Sequence, residues 1–107
     1  MKKILTPVFG LAILACTASA QDDKAAAKGK EVFEQCSACH NADSDEKKMG
    51  PGLKGLYKKA TLADGKTKVD DKSVAKKINE GGNGMPAYEE MLEKKDKEAL
   101  LVYLKTL

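Results

Sequence analysis

The chain has no arginine and no tryptophan among its 107 residues, and aromatic residues make up only 5% of it. Without arginine it lacks the planar, forked donor that proteins use most for phosphate groups and base edges. The formal net charge is only +3, and it comes from lysines. We therefore do not expect nucleic-acid binding. Because aromatic side chains are few, a domain of this size would have only a marginal apolar core of its own.

Histidine and cysteine are also scarce, yet the one histidine stands beside two of the three cysteines. The segment Cys36-Ser37-Ala38-Cys39-His40 is a C-x-x-C-H pentad, which is typical of covalent haem attachment. On one helical turn, two thiols three residues apart can each form a thioether bond with a haem vinyl group. The imidazole that follows can then bind the iron. Cys36 and Cys39 are thus the candidate attachment residues, and His40 is the candidate iron ligand.

Two other uses of a C-x-x-C pair are open at this point, a redox-active disulfide and half of a zinc site. A redox-active pair is typically found in a βαβ unit, which this sequence does not suggest. A zinc site needs a further soft ligand, and the only cysteine outside the pentad is Cys16. Cys16 falls in a segment that we expect to be removed.

The first twenty residues have the pattern of a secretory signal peptide. Lys2 and Lys3 form a positively charged start. The apolar stretch 4–16 follows, and small residues at positions 18–20 then form a cleavage site. The apolar stretch is too short to span a bilayer comfortably. We expect residues 1–20 to be removed on export from a bacterial cytoplasm.

Residues 21–107 are then expected to form a single domain in the periplasm. Loss of Lys2 and Lys3 lowers the side-chain charge from +3 to +1. One alternative is open for the leader. Residues 13–16 resemble a lipoprotein box, and processing there would leave Cys16 lipidated and the protein tethered to a membrane.

Apolar residues at helical spacing predict an all-α fold. The predicted helices cover residues 24–36, 72–80 and 95–106, with short helical turns near residues 53–58 and 86–91. Asp22 and Asp23 stand where the N-cap of the first helix is expected. Residues 41–71 are rich in Gly, Lys and Asp and predict a long loop, with a hairpin turn at Asp64-Gly65.

Haem iron commonly takes a second axial ligand, and the pentad contains the only histidine. Methionine is the other candidate, although most methionines fill cores, which we expect of Met91. Met49 follows His40 too closely for an easy crossing to the opposite haem face. Met85 lies in the glycine-rich segment 81–86, whose backbone can approach iron closely. Met85 is therefore the candidate sixth ligand.

Taken in order, these motifs resemble those of the short class I cytochromes c of bacteria, over essentially all of residues 21–107. The pentad at 36–40 matches the haem-attachment motif of the family, and residues 49–56 resemble its G-P-x-L-x-G segment. Met85-Pro86 matches the distal ligand and the proline that follows it. Small and aromatic residues of the first and last helices are matched by Gly29, Phe33 and Tyr103.

The resemblance implies a cytochrome c fold, in which three main helices, short helical turns and long loops wrap around one covalent haem c. It implies that the Pro51 carbonyl accepts a hydrogen bond from His40. It also implies that Phe33 and Leu53 line the haem pocket or support it. The first and last helices would cross closely at Gly29, with Tyr103 covering the junction.

With His40 and Met85 both bound, the iron would have no open coordination position, so we expect electron transfer and not catalysis. The hypothesis is a monomeric one-electron carrier that shuttles electrons between redox protein partners. Two alternatives stay open. One is a subunit docked permanently on a dehydrogenase or terminal oxidase. The other is a haem sensor or enzyme, which would require Met85 to dissociate.

Overall fold

The structure is a computed structural model that describes Gly10 and residues 17–107. Lys2, Lys3 and Cys16 lie outside the described residues, as does the rest of the predicted signal peptide up to Cys16 except Gly10. The alternative lipid tether at Cys16 therefore lies outside them too. The predicted cleavage position at residues 18–20 falls within the described part, where the backbone is helical.

Three α-helices form the regular structure of residues 17–107: α1 (Thr17–Phe33), α2 (Asp71–Glu80) and α3 (Lys94–Lys105). A short 3-10 helix, Leu56–Lys58, lies between α1 and α2. Across these residues there is no strand, only two isolated bridges that join Thr61 to Lys68 and Gly82 to Met85. The predicted all-α class is confirmed.

The start of α1 differs from the prediction. The helix already includes residues 17–20, so Asp22 and Asp23 lie inside it and do not cap it. Residues 17–20 are Thr, Ala, Ser and Ala, and alanine has the highest helix propensity of all residues. The expected N-cap at Asp22 and Asp23 is therefore wrong for this chain. The helix ends at Phe33, and turns continue from there into the pentad.

Local hydrogen bonds set both ends of α2. The Asp70 side chain accepts a hydrogen bond from the Ser73 backbone at 2.7 Å, and the Asp70 backbone N–H donates to Ser73 Oγ at 3.0 Å, which makes a capping box. The helix stops at Gly81, which has φ 66° and donates its N–H to the Lys77 carbonyl. Such a positive φ favours glycine. The cap residues thus fix where the segment that carries Met85 begins.

α1 and α3 cross at Gly29. A Cβ at this position would overlap the Ala99 carbonyl oxygen and would lie 2.6 Å from the Tyr103 Cβ. The rings of Phe33 and Tyr103 meet nearby, with centroids 5.4 Å apart and planes tilted by 53°. The close crossing that the family resemblance implies is present, and it requires the absence of a side chain at Gly29.

The core lies where α1, α2, α3 and the 3-10 helix meet. Its buried side chains are Val32, Phe33, Leu56, Val74, Ile78, Tyr88, Leu92, Leu100 and Leu104. Leu100 is the most deeply buried of them, with 1% of its surface exposed. Three residues of the candidate site, Cys36, Leu53 and Met85, are partly buried against this cluster. The core therefore reaches the candidate site directly.

The segment after Pro86 is not a helix, contrary to the prediction for residues 86–91. The Tyr88 N–H donates to the Ile78 carbonyl at 2.9 Å, and the Glu89 N–H donates to the Asn79 carbonyl at 3.3 Å. The last carbonyls of a helix have no partner within it, so the chain pairs with the end of α2 and turns only at residues 89–91. Met91 is left 63% exposed, and the expectation that it packs in the core is wrong.

A polar cluster joins the 3-10 helix to α2 and α3. Asp71 accepts a hydrogen bond from the Tyr57 hydroxyl at 2.9 Å and another from Lys105 Nζ at 2.9 Å. The hydrogen bond from Lys105, followed by the one from Tyr57, lowers the pKa of Asp71. Burial, and then the hydrogen bond to Asp71, raises the pKa of Tyr57. The cluster connects the 3-10 helix and the start of α2 to the end of α3.

Candidate haem site

The pentad forms one helical turn directly after α1. The Cys36 N–H donates to the Phe33 carbonyl at 2.7 Å. Within the turn, the N–H groups of Cys39 and His40 both donate to the Cys36 carbonyl, at 3.1 and 3.0 Å. Cys36 and Cys39 are half-buried thiols that are not joined to each other. The backbone thus has the turn that the spacing of the motif predicts for attachment to one macrocycle.

The surroundings of the thiols bear on the two alternative uses of the motif. Burial, and then the charge of Cys39, raises the pKa of the Cys36 thiol. A redox-active C-x-x-C pair has the opposite property, because its attacking cysteine has a lowered pKa. Within the described part of the chain, no group of three His, Cys, Asp or Glu side chains could hold a metal ion. The structure therefore supports neither a redox disulfide nor a zinc site.

The orientation of His40 is set by a hydrogen bond to the loop that follows. Its Nδ1 lies 2.8 Å from the carbonyl oxygen of Pro51. A carbonyl can only accept, so Nδ1 carries the hydrogen and donates it. In the neutral imidazole the lone pair is then on Nε2, which is the atom left to bind a metal. The hydrogen bond implied by the family resemblance is present in the structure.

The backbone of Gly50 lies close against the imidazole ring of His40. A Cβ at Gly50 would lie 2.5 Å from His40 Cε1, 2.8 Å from Nδ1 and 3.0 Å from Nε2. The Gly50 N–H also donates to the Cys39 carbonyl at 2.8 Å. The imidazole therefore rests on bare backbone, and any side chain at Gly50 would displace it. The sequence pattern did not identify this role, although a glycine directly before Pro51 was the available signal.

Met85 is presented by a tight turn. Gly82 and Met85 exchange two backbone hydrogen bonds, at 3.0 and 3.1 Å. The residues between them, Asn83 and Gly84, have φ of 53° and 90°, the positive values of a type I′ turn, for which Asn-Gly is the favoured sequence. Met85 is partly buried against the core, whereas Met49 is 82% exposed. Among the candidate thioethers, Met85 has the contacts that a buried ligand needs.

The other predicted site residues differ in how far they are buried. Phe33 is buried in the core, and Leu53 packs against it. Pro51 is exposed, and it lines one cavity together with Leu53 and Leu62. The structure thus joins Phe33, Cys36, Leu53 and Met85 through one apolar cluster, and it joins His40 to Pro51 through a hydrogen bond.

Tyr88 is a site residue that the sequence pattern missed. It is buried in the core, and burial, followed by the charges of Cys36 and Cys39, raises the pKa of its hydroxyl. Tyr88 belongs to the core cluster against which Cys36 and Met85 pack. Its position shortly after Met85 was the available signal.

These residues fit a covalently bound haem. The chemistry of the donors is appropriate, with two thiols on one turn, an imidazole with its Nε2 available, and a thioether in a glycine-rich turn. Imidazole and thioether form one of the axial ligand pairs found in haem proteins that transfer electrons. Phe33 and Tyr88 belong to the core cluster and Leu53 packs against it, so these largely apolar side chains could surround a macrocycle.

Comparison with known proteins decides the family. The family model for cytochrome c matches residues 26–107. The chain belongs to the class I cytochrome c family. Its fold is accordingly the all-α cytochrome c fold. Family membership implies a covalent haem c with iron, and Cys36 and Cys39 fit the attachment motif.

Two curated relatives of this cytochrome c are similar over part of their length. Cytochrome c2 of Blastochloris viridis is 43% identical over 58 residues, which is 53% of this chain and 43% of that protein. Cytochrome c-550 of Bacillus subtilis (strain 168) is 37% identical over 70 residues, or 64% of this chain and 50% of that protein. The chain spans about half the length of the curated relatives it matches. Among the residues that the structure describes, no helix is long and apolar enough to cross a membrane.

Proposed function

We propose that this cytochrome c is an exported, periplasmic one-electron carrier that shuttles electrons between redox protein partners. Cys36 and Cys39 hold one haem c through thioether bonds, and His40 and Met85 are its axial ligands. Residues 1–20 are a signal peptide, and residues 21–107 form a monomeric domain with no catalytic residue.

The observation that carries this proposal is the hydrogen bond from His40 Nδ1 to the Pro51 carbonyl. This hydrogen bond leaves the lone pair of Nε2 available to a metal and fixes the plane of the imidazole ring. Contact with Gly50 fixes the position of the ring. When bound, the haem supplies an iron centre that takes up and releases one electron. His40 is oriented before it binds, and the hydrogen bond strengthens its donation to the metal.

Met85 is the second side chain that would bind the iron in this proposal, since it is partly buried against the core. The turn at residues 82–85 is closed by hydrogen bonds at both ends, so the thioether is held on a defined backbone. If His40 and Met85 both bound the iron, a substrate or a gas could reach the metal only by displacing Met85. This arrangement favours electron transfer over catalysis or ligand sensing.

The pentad also supplies a surface for partners. Ser37 and Ala38, between the two attachment cysteines, are exposed. The part of the macrocycle bound to Cys36 and Cys39 would therefore lie close to the protein surface, where a partner can approach it. Short-lived redox complexes use small interfaces of this kind.

Expression of the full chain in a bacterium that matures c-type cytochromes tests the proposal. The periplasmic fraction is purified, and its intact mass and its absorption in both oxidation states are measured. We expect the mass of residues 21–107 plus one haem, and a methionine-to-iron charge-transfer band in the ferric protein. A protein with unmodified thiols, or a reduced protein that binds carbon monoxide readily, would contradict the proposal. Recovery in the membrane fraction with a lipid on Cys16 would contradict its export as a free protein.

A further inference from the structure

Lys77 contacts the segment that carries Met85, although its own side chain is exposed. It lies in the last turn of α2, and its Nζ donates a hydrogen bond to the Gly81 carbonyl at 3.1 Å. The same Nζ would lie 3.4 Å from a Cβ placed on Gly82. The ammonium group therefore lies over the first two residues that follow the helix.

Gly81 in turn lies directly against the backbone of Met85. A Cβ on Gly81 would overlap the Met85 carbonyl oxygen and would lie 2.6 Å from the Pro86 carbonyl oxygen. The Gly82 N–H then donates to that same Met85 carbonyl at 3.0 Å. A rotation of the peptide between Gly81 and Gly82 would therefore move Met85.

The segment needs an external contact because its own backbone is permissive. Gly81, Gly82 and Gly84 all have positive φ, at 66°, 117° and 90°. Glycine moves between such conformations more easily than any other residue. A cation beside the last carbonyls of a helix is also favoured by the helix dipole. Lys77 supplies an external contact to the glycine segment, and its positive charge lies at the C-terminal end of α2.

We infer that Lys77 is a positioning residue for Met85. Its ammonium holds the Gly81 carbonyl, the held peptide fixes Gly82, and Gly82 fixes Met85 through their paired hydrogen bonds. This inference rests on the proposed function, since it presupposes that Met85 is an axial ligand. It assigns Lys77 a role in keeping the sixth coordination position closed, and that role is distinct from partner binding.

Lys76 provides a matched control. It is the preceding residue of the same helix, it is exposed, and it carries the same charge. In the described structure only Lys77 of this pair donates to the glycine segment. Substitution of either lysine changes the net charge equally, so a difference between the variants reports the hydrogen bond and not the charge.

The test uses the haem-loaded ferric protein as wild type, Lys77→Ala, Lys77→Arg and Lys76→Ala. Imidazole serves as the probe, because it binds only when it displaces Met85. We expect Lys77→Ala to bind imidazole about fivefold more tightly than wild type, as loss of one hydrogen bond predicts. Lys76→Ala and Lys77→Arg should differ from wild type by less than about twofold. Cooperative thermal unfolding of Lys77→Ala and Lys76→Ala should show that both variants are folded.

Two results would overturn the inference in distinguishable ways. If wild type has the methionine-to-iron band and Lys77→Ala binds imidazole like Lys76→Ala, Lys77 does not position Met85, and the proposed function stands. If wild type lacks the band, Met85 is not the ligand, and the inference fails together with the proposed function.

Discussion

His40 Nδ1 lies 2.8 Å from the carbonyl oxygen of Pro51, so the imidazole is held by the backbone of the loop that follows it. The hydrogen bond fixes which nitrogen carries the hydrogen, and contact with Gly50 fixes where the ring lies. Both constraints come from backbone atoms. The backbone of this loop therefore orients the candidate iron ligand.

Gly50→Ala tests this arrangement. The added methyl group would lie 2.5 Å from His40 Cε1, so the ring or the loop must move. We expect the free energy of unfolding to fall by about 1–3 kcal/mol, as overpacking does in well-packed sites. The reduction potential should rise, because a weakened hydrogen bond from His40 to Pro51 reduces the donation of the imidazole to iron. A redox titration and denaturant unfolding of the haem-loaded protein measure both quantities.

Gly65→Ala is the control for that variant. Gly65 has a positive φ, 71°, unlike Gly50, and nothing lies within 4 Å of an added Cβ. The substitution should cost about 1–2 kcal/mol through backbone strain alone and leave the potential unchanged. A wild-type potential in Gly50→Ala would show that the ring does not depend on Gly50.

Gly29→Ala tests the crossing of α1 and α3, because the sign of the change in the free energy of unfolding depends on how closely the helices pack. On an exposed helix the change would stabilise the protein by up to about 1 kcal/mol, because alanine is the better helix former. Here the new Cβ would overlap the Ala99 carbonyl oxygen and approach Tyr103. We expect a loss of about 2–3 kcal/mol in the free energy of unfolding, measured by denaturant titration. A gain in stability would show that the helices are not in close contact.

Asp64 gives a prediction about acid stability. Hydrogen bonds from the Thr67 side chain, the Thr67 N–H and the Lys66 N–H lower its pKa to about 2. Because the folded-state pKa is depressed, the stabilisation is complete above the unfolded pKa near 3.9 and is lost as the pH falls through about 2. We expect wild type to lose more stability than Asp64→Asn between these pH values, measured by urea unfolding at several pH values.

Asp43→Asn is the control for the acid measurement, because Asp43 is likewise an exposed loop aspartate. It should keep the wild-type pH dependence. If Asp64→Asn and wild type lost stability in parallel, the turn at Asp64-Gly65 would not depend on the ionised carboxylate.

Local chemistry explains which features could be predicted from the sequence. The geometry of the pentad and of the Asn-Gly turn before Met85 follows from neighbouring residues. The end of α2 at Gly81 is also set by residues close in sequence. The helical spacing of apolar residues was enough to predict α2 and α3. These are features that a window of a few residues can specify.

Contacts between distant segments explain the failures. Residues 86–91 avoid a helix because Tyr88 pairs with Ile78 at the end of α2, and this pairing leaves Met91 exposed. Gly50 acquires its role only where the loop folds back over His40. A local sequence pattern cannot predict these contacts, because they depend on which distant segments the fold brings together.

Met85→Ala tests the distal ligand. The variant should keep its haem, because Cys36 and Cys39 still anchor it, but the potential should fall and the iron should bind external ligands. Met49→Ala is the control, because that side chain is 82% exposed and should contribute nothing to the iron site. An unchanged potential in Met85→Ala would exclude Met85 as the ligand.

Proton NMR of the reduced, haem-loaded protein tests the central claim most directly. A methionine bound to haem iron lies over the macrocycle, and the ring current shifts its methyl resonance far upfield. We predict one such resonance, present in wild type and Met49→Ala and absent from Met85→Ala. Ordinary positions for all methionine methyl groups, or a shifted resonance that persists in Met85→Ala, would contradict ligation of the iron by Met85.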